Sequence, residues 1–225
     1  ADVVVYAGSL VNPALLRRCK PEAEIHDSAR LDLNEVLDIL IPAAKAGKRV
    51  VRLHTGDPSV YGAHREQMDA LKAAGVPYAV CPGVSSFFGA AASLGAEYTL
   101  PGVSQTVILT RAAGRTLVPE KERLSALAAH GASMVLFLSA GRVAEAVSEL
   151  LAGGYYTNET PAAVVYKATW PDERILRTTL GELAKEAEAA GITKTALLLI
   201  GDFLGAAYEN SKLYDPSFTT EFREG

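Results

Sequence analysis

The chain has 225 residues, of which 49% are hydrophobic and 21% are charged, and its formal net charge at pH 7 is −4. This composition is typical of a globular protein with a sizeable core, and the length allows two modest domains. The acidic balance excludes a global basic surface for nucleic acid. A local basic cluster can still bind an anion, because salt screens charges that lie beyond about 8–10 Å.

The two cysteines, Cys19 and Cys81, stand alone in the sequence, without a CxxC pair or a histidine at ligand spacing. This usage favours neither a zinc site nor a disulfide scaffold, and it is typical of the reducing cytoplasm. No apolar run reaches the roughly 18 residues that a membrane-spanning helix needs. We therefore expect a cytoplasmic protein that binds no metal and has no membrane or nucleic-acid partner.

Strand-like and helical patterns alternate along the first half of the chain, which indicates a parallel sheet covered by helices. The predicted strands are Val3–Tyr6 and residues 23–26, 49–54 and 78–81. The predicted helices are a short one that begins at Asn12 and Pro13, followed by residues 33–46, 63–74 and 85–93. Glycines 47, 75 and 95 end the three longer helices. The chain opens directly in a strand, so we expect a strand–loop–helix unit to precede it.

A domain boundary is predicted at Leu100, Pro101 and Gly102, which gives an N-terminal domain of residues 1–102 and a C-terminal domain of residues 103–225. The second domain has predicted strands near residues 105–110, 134–138, 162–166, 175–179 and 196–200, with helices near 121–129, 143–151 and 181–190. Two of these strands are joined by a Pro-Asp turn, which predicts a hairpin and a mixed sheet. The polar tail, residues 209–225, is expected to pack over a surface or to reach a partner subunit.

Two glycine-containing loops follow predicted strands: TGDPSVYG at residues 55–62, called here the first loop, and PGVSS at residues 82–86, the second loop. In an open α/β sheet, loops at the carboxyl ends of strands form the crevice that binds small molecules. Glycine lets the main chain approach a ligand. We expect the two loops to line one pocket, although ordinary turn and capping chemistry also explains each loop alone. His54, just before the first loop, either faces that pocket or is a structural histidine.

Three basic residues are candidates for an acidic substrate. Arg111 and Arg115 flank a short Ala-Ala-Gly segment after one strand, and Lys167 ends another. Arginine binds carboxylates through two parallel hydrogen bonds, whereas solvated surface charge is the alternative for each residue. Trp170, the only tryptophan, is either part of the core or a flat wall of the binding cleft.

Motifs of several other classes are absent from the sequence. No GxGxxG, GxxxxGK[ST] or GxSxG segment occurs, which disfavours a nicotinamide-dependent dehydrogenase, a P-loop nucleotidase and a serine hydrolase. A module that binds a small molecule without catalysis stays open as an alternative.

Taken in order, several stretches resemble the tetrapyrrole methylase family. They are YAGSLV (6–11), LHTGDPSVYGA (53–63), PGVSS (82–86), LPGVSQTVILTR (100–111), FLS (137–139) and VYKATWPDE (165–173). The two loop motifs resemble the family as a whole, whereas the others are similar to members that methylate corrin precursors in cobalamin biosynthesis. The tail segment SKLYD (211–215) resembles the branch whose substrate contains cobalt.

The resemblance implies two α/β domains, an N-terminal Rossmann-like parallel sheet and a C-terminal mixed sheet, with the active-site cleft between them and a homodimeric assembly. It implies S-adenosylmethionine as methyl donor, S-adenosylhomocysteine as product and a tetrapyrrole as substrate. The cofactor contacts that it assigns by position are Thr55, Gly56, Asp57, Val60, Ser85, Ser86, Ser139, Ala168 and Ala196. The substrate's acetate and propionate groups would meet Arg111, Arg115 and Lys167. The family's opening GxGPGDP loop is absent, which agrees with a unit preceding Ala1.

The implied reaction moves a methyl group from a sulfonium to a ring carbon. Alignment of the reacting atoms, which can supply about 7–11 kcal/mol, then matters more than a nucleophile or a metal. Relatives that act on uroporphyrinogen III carry an Asp after the first strand and a Lys after the second, but this chain has Ala-Gly-Ser at 7–9 and Asp-Ser-Ala at 27–29. No catalytic residue is therefore assigned. Asp57 is a candidate base, although its place among the cofactor contacts favours binding. Methylation of another corrin carbon or of uroporphyrinogen III is the alternative reaction.

Overall fold

A three-stranded parallel sheet organises the first of two units, Ala1–Ser85, in the computed structural model, which describes residues 1–224. Its strands are β1 (Val3–Tyr6), β2 (Glu24–Asp27) and β3 (Val50–Leu53), in the order β2-β1-β3. The central strand buries Val3 and Val5 against Val36 and Leu40 of helix α1 (Leu33–Lys45). The predicted parallel sheet of the first domain is thus confirmed.

Local sequence signals set the helix ends in this unit. Asp32 begins α1 by accepting a hydrogen bond from the Glu35 amide, while the Glu35 side chain accepts one from the Asp32 amide. The predicted short helix is a 3-10 helix, Pro13–Arg18, and Asn12 caps it. Helix α2 (Arg65–Ala73) ends just before Gly75, whose φ is +70°.

The predicted strand at residues 78–81 is wrong. Among the described residues this segment pairs with no strand, and Tyr78 and Val80 are both about half exposed. A β-branched pattern favours extended backbone, but a strand exists only where a neighbour supplies the other half of each hydrogen bond. Residues 76–85 instead run as irregular chain that carries the second loop.

A five-stranded mixed sheet forms the second unit, from Ser86 onward. Its strands are β4 (Val107–Arg111), β5 (Ser133–Phe137), β6 (Pro161–Tyr166), β7 (Arg174–Thr179) and β8 (Ala196–Ile200), in the order β4-β5-β8-β6-β7. The β4–β5 pair is parallel and the other pairs are antiparallel. The predicted hairpin, β6 and β7, and the predicted mixed sheet are therefore confirmed.

Alternating side chains give this sheet two apolar faces. One face, with Leu136, Val164 and Leu198, packs under helices α4 (Leu124–Ala128), α5 (Val143–Ala152) and α6 (Leu183–Ala189). The other face, with Val135, Val165 and Leu199, packs under helix α3 (Ser86–Leu94). Because α3 covers this face, the contacts divide the chain after Ser85, earlier than the predicted boundary at Leu100–Gly102.

Strand register brings several loops of the second unit to one edge of the sheet. Arg111 at the end of β4 lies beside Phe137 at the end of β5, and Tyr166 at the end of β6 lies beside both Ala196 and Arg174. We call this set of strand ends the loop edge. Residues 167–173, which connect β6 to β7 there, are called the hairpin loop.

The tail beyond residue 208 folds on itself around one arginine. The Arg223 guanidinium donates hydrogen bonds to the carbonyl oxygens of Leu213, Asp215 and Phe218. Tyr214 and Phe222 are almost fully exposed, at 86% and 92%. Among residues 1–224, no helix combines the length and the apolar character that crossing a membrane requires.

Candidate functional site

One carboxylate joins the first loop to the second. The Asp57 side chain accepts hydrogen bonds from the amide and hydroxyl of Ser59, which close the turn of the first loop. Its second oxygen, Oδ2, accepts a hydrogen bond from the Gly83 amide at 2.7 Å. The structure thus brings the two glycine-containing loops together at the carboxyl side of β3.

The two loops touch through their main chains. A Cβ atom added to Gly83 would lie 2.0 Å from the Gly56 carbonyl oxygen, a separation that only glycine allows. A Cβ atom on Gly62 would lie 2.1 Å from the Pro58 carbonyl oxygen, so the first loop also folds back tightly on itself. Thr55 and Gly56 beside this junction are exposed, whereas Ser85, two residues after Gly83, is buried.

Hydrogen bonding holds the pKa of Asp57 at about 2, with the Ser59 hydroxyl as the largest cause and the Gly83 and Ser59 amides next. Its carboxylate is therefore ionised and fully engaged at neutral pH. A general base works best when its pKa lies near the operating pH. The geometry favours Asp57 as the link between the loops over Asp57 as a base.

A second group of candidate residues lies at the loop edge of the mixed sheet. Ser139 is fully buried there: its hydroxyl donates to the Phe137 carbonyl oxygen at 2.7 Å and accepts from the Ala112 amide at 2.9 Å. The preceding residue, Leu138, is 70% exposed. Ser139 therefore joins the ends of β4 and β5, and Leu138 is the residue that faces solvent.

The other candidates of this unit surround the hairpin loop. Ala196 begins β8, and the Thr195 carbonyl oxygen just before it accepts a hydrogen bond from the Lys167 amide at 2.9 Å. Ala168 packs into the core layer under α3, whose exposed first residue is Ser86. Ala168 and Ala196 thus lie near each other in the structure, on either side of the Lys167–Thr195 hydrogen bond.

Unfavourable backbone geometry is concentrated in the same places. Among the described residues, those other than glycine with positive φ have values between 46° and 69°; they are Tyr61, Ala63, Leu138, Lys167, Thr169 and Thr195. All of them lie in or next to the first loop or at the loop edge. Such conformations cost about 1–3 kcal/mol each and cluster at functional sites. Nothing in the sequence pattern signals them, because none of these residues is glycine.

The three basic candidates differ in what their charges already bind. The Arg111 guanidinium donates to the carbonyl oxygens of Ala112, Thr116 and Leu117, so it organises the loop that follows β4. Arg115, within that loop, is exposed. Lys167 forms an ion pair with Asp172 at 2.6 Å, which raises the lysine's pKa.

Aromatic rings also lie beside the Lys167 ammonium. Its Nζ atom lies 5.0 Å from the centroid of Trp170, the only tryptophan of the chain. The Trp170 ring is half-buried and contributes a flat surface at the hairpin loop.

Among residues 1–224, no group of three or more His, Cys, Asp or Glu side chains is placed to hold a metal ion.

Comparisons with known proteins point to one family. The profile of the family described as Tetrapyrrole (Corrin/Porphyrin) Methylases matches residues 1–184. The chain is 52% identical over its whole length to a cobalt-precorrin-4 C(11)-methyltransferase of Methanocaldococcus jannaschii, 86% of which is covered. It is 48% identical, over 95% of its length, to a precorrin-4 C(11)-methyltransferase of Rhodococcus erythropolis, again with 86% covered.

Two solved structures extend this comparison. The X-ray structure of a cobalt-precorrin-4 methyltransferase of cobalamin biosynthesis superposes with a TM-score of 0.88 at 48% identity, covering 92% of this chain and 86% of that one. A uroporphyrin-III C-methyltransferase of Thermus thermophilus, complexed with S-adenosylhomocysteine, gives a TM-score of 0.74 at 28% identity, covering 91% and 87%.

The histidine before the first loop gives a testable dependence on pH. Burial, followed by the charges of Arg52 and His64, lowers the pKa of His54 to about 4, whereas an unfolded histidine titrates near 6.5. The unfolded chain therefore binds the extra proton between these values, so this contribution to stability is complete above about pH 6.5 and is lost as the pH falls towards 4. We expect the free energy of unfolding to fall less steeply over this window in His54→Gln than in the unsubstituted protein.

Urea unfolding at half-unit intervals of pH measures this difference. At pH 8 histidine is neutral in both states, so the two proteins there report only the change in packing. If the free energies of unfolding of the two proteins change in parallel from pH 7 to 4.5, the assignment of a neutral His54 in the folded protein is contradicted.

Proposed function

This chain belongs to the tetrapyrrole (corrin/porphyrin) methylase family, and from that premise we propose that it methylates carbon 11 of cobalt-precorrin-4 in cobalamin biosynthesis. The methyl donor is S-adenosylmethionine and the product of the donor is S-adenosylhomocysteine. The observation that carries the proposal is 52% identity, from end to end of the chain, to a protein named for this reaction. Metal-free precorrin-4 is the alternative substrate, because a relative named for it is 48% identical.

The residues at both groups of loops fit this cofactor. Its amino-acid part, ribose and adenine require hydrogen-bonding groups close to apolar surface, and the contact between Gly56 and Gly83 leaves main-chain groups without side chains in the way. We propose that the cofactor is held by Thr55, Gly56, Asp57, Val60, Ser85, Ser86, Ala168 and Ala196. At the end of β5 we propose Leu138 as the contact, since Ser139 is buried beneath it.

Catalysis in this proposal rests on alignment. When bound, S-adenosylmethionine supplies a methyl group that its sulfonium already activates. The chain's part is to hold the reactants in one geometry. The Asp57 carboxylate fixes the first and second loops, and contacts such as that of Glu173 with the Thr169 amide hold strained residues in place before binding. Preordered loops lose less conformational entropy when the reactants bind.

The substrate's carboxylates are proposed to meet the basic residues of the loop edge. Arg115 is exposed and Lys167 lies beside the rings of Tyr166 and Trp170, which suits a flat ring with acidic side chains. Arg111 contributes by holding the 112–117 loop on which Arg115 stands.

The junction of the two loops can be tested with Gly83→Ala. The added methyl would meet the Gly56 carbonyl oxygen at 2.0 Å and would force the loops apart. Because the charge-assisted hydrogen bond from Gly83 to Asp57 is then lost, we expect S-adenosylhomocysteine to bind about tenfold more weakly. Calorimetry measures this affinity. Gly205→Ala is the matched control, because a methyl there meets only Pro161 at ordinary van der Waals distance, 3.6 Å. Unchanged affinity in Gly83→Ala would argue against a cofactor site at this junction.

The reaction itself is tested by incubating the protein and S-adenosylmethionine with cobalt-precorrin-4, precorrin-4, precorrin-3 and uroporphyrinogen III in parallel. We expect one added methyl group by mass spectrometry, located at carbon 11 by NMR, with cobalt-precorrin-4 turned over fastest. Faster turnover of precorrin-4 would assign the metal-free substrate. Methylation of precorrin-3 or uroporphyrinogen III alone would overturn the assignment, and cofactor binding without any turnover would favour a non-catalytic module.

We also propose that the protein works as a homodimer in the cytoplasm. Both cysteines are free, as expected in a reducing compartment, and the exposed aromatic residues of the tail offer apolar surface to a second copy. Light scattering after size exclusion is expected to give twice the mass of the chain. The mass of a single chain at micromolar concentration would contradict the dimer.

A further inference from the structure

Glu173, the last residue of the hairpin loop, links that loop to helix α3. Its Oε2 atom accepts a hydrogen bond from the Thr169 amide at 2.6 Å and another from the Ser93 hydroxyl at 2.7 Å. Both bonds end on a carboxylate and are therefore stronger than neutral ones. One side chain thus fixes the separation between the hairpin loop and the carboxyl-terminal half of α3.

The hairpin loop needs such a link because its backbone is strained. Thr169 has a φ of 69° and Lys167 a φ of 49°, a region that β-branched residues in particular avoid. Conformations of this kind persist only where surrounding contacts determine them. The Glu173 carboxylate binds the amide of Thr169 itself, and turn hydrogen bonds from Trp170 to Lys167 and from Glu173 to Trp170 close the rest of the loop.

Helix α3 packs directly on the same loop. A Cβ atom on Gly89 would lie 3.2 Å from Thr169 Cγ2 and 3.6 Å from Ala168 Cβ, so the helix and the loop have no spare room between them. At the end of the helix, the Arg177 guanidinium donates a hydrogen bond to the Leu94 carbonyl oxygen. The helix is therefore fixed against the β6–β7 hairpin at Gly89, Ser93 and Leu94.

We propose that Glu173 is a positioning residue for the methyl donor. It acts through its two partners: it keeps the main chain of Ala168 and the start of α3 at Ser86 in the one arrangement that receives the cofactor. This inference rests on the proposed function, since Ala168 and Ser86 belong to the proposed cofactor contacts. Glu173 itself does not touch the reacting atoms.

Three substitutions of Glu173 distinguish the effect of its side-chain length from the effect of its charge. Glu173→Ala removes both hydrogen bonds and Glu173→Asp is one methylene too short to span them, so each is expected to weaken S-adenosylhomocysteine binding about tenfold. Glu173→Gln keeps a carbonyl oxygen at the same reach and is expected to restore most of the affinity. Ser93→Ala removes one of the two bonds and is expected to give a smaller loss than Glu173→Ala.

Steady-state kinetics give a second measurement, because a change in protein stability alone would not raise the KM for the donor while leaving kcat unchanged. If Glu173 positions the donor, the KM for S-adenosylmethionine rises about tenfold in Glu173→Ala, while kcat at saturating donor stays within about twofold. An equal loss of kcat at saturating donor would overturn the proposal, because Glu173 would then act on the transfer step itself.

Glu186 provides the matched control. Its carboxylate accepts a hydrogen bond from the Thr178 hydroxyl at 3.0 Å, which links β7 to α6 near the end of the sheet opposite the loop edge. Glu186→Ala removes a comparable carboxylate–hydroxyl bond and is expected to leave donor affinity unchanged. If it weakens donor binding as much as Glu173→Ala, the effect is general destabilisation and the proposal is wrong.

The outcomes also separate this proposal from the proposed function. If the unsubstituted protein binds no S-adenosylhomocysteine, the proposed cofactor site fails. If it binds and both Glu173→Ala and Ser93→Ala bind equally well, only the positioning role fails. Circular dichroism checks that each variant folds, and if Glu173→Ala does not, the comparison of Glu173→Asp with Glu173→Gln decides the same question.

Discussion

In the first unit, the positions of the two glycine-containing loops depend on one hydrogen-bonded carboxylate, that of Asp57. It closes the turn after β3 and, through the Gly83 amide, holds the second loop, whose residues 82–85 belong to no strand or helix. Residues 76–85 have no sheet neighbour among the described residues, so their backbone path is set by contacts such as this one. The same contact brings the main chain of Gly83 against the Gly56 carbonyl oxygen, which leaves no space for a side chain at Gly83.

In the second unit, loops are positioned by the mixed sheet and include residues with strained backbone. Register places the ends of β4, β5 and β6 at one edge, and buried side chains such as Ser139 tie neighbouring strands together just beyond their last ladder hydrogen bond. Residues with positive φ, such as Leu138 and Lys167, follow these strand ends, and Glu173 stabilises the turn that contains Thr169. The rigid core supplies the free energy that these unfavourable conformations cost.

Both arrangements suit methyl transfer from a sulfonium. The donor is already reactive, so a methylase gains most from fixed, small and closely approaching main-chain groups. Family membership and the identity to enzymes named for C(11) methylation agree with loops built from glycine, serine and alanine. The carboxylates of Asp57 and Glu173 each accept hydrogen bonds from amides and hydroxyls, which favours a structural role for each of them over a role as a base.

Local sequence patterns were sufficient to predict the strands and helices with strong periodicity, the β6–β7 hairpin, the two glycine loops and the family. These features depend on periodicity, turn residues and motifs, which are local in the chain. Four features became visible only in the folded chain: residues 78–81 form no strand, α3 packs with the second unit, Ser139 is buried next to the exposed Leu138, and Glu173 accepts a hydrogen bond from Ser93. The reason is physical: strand pairing, burial and long-range hydrogen bonds require partners distant in sequence, and their positions are fixed only when the chain has folded.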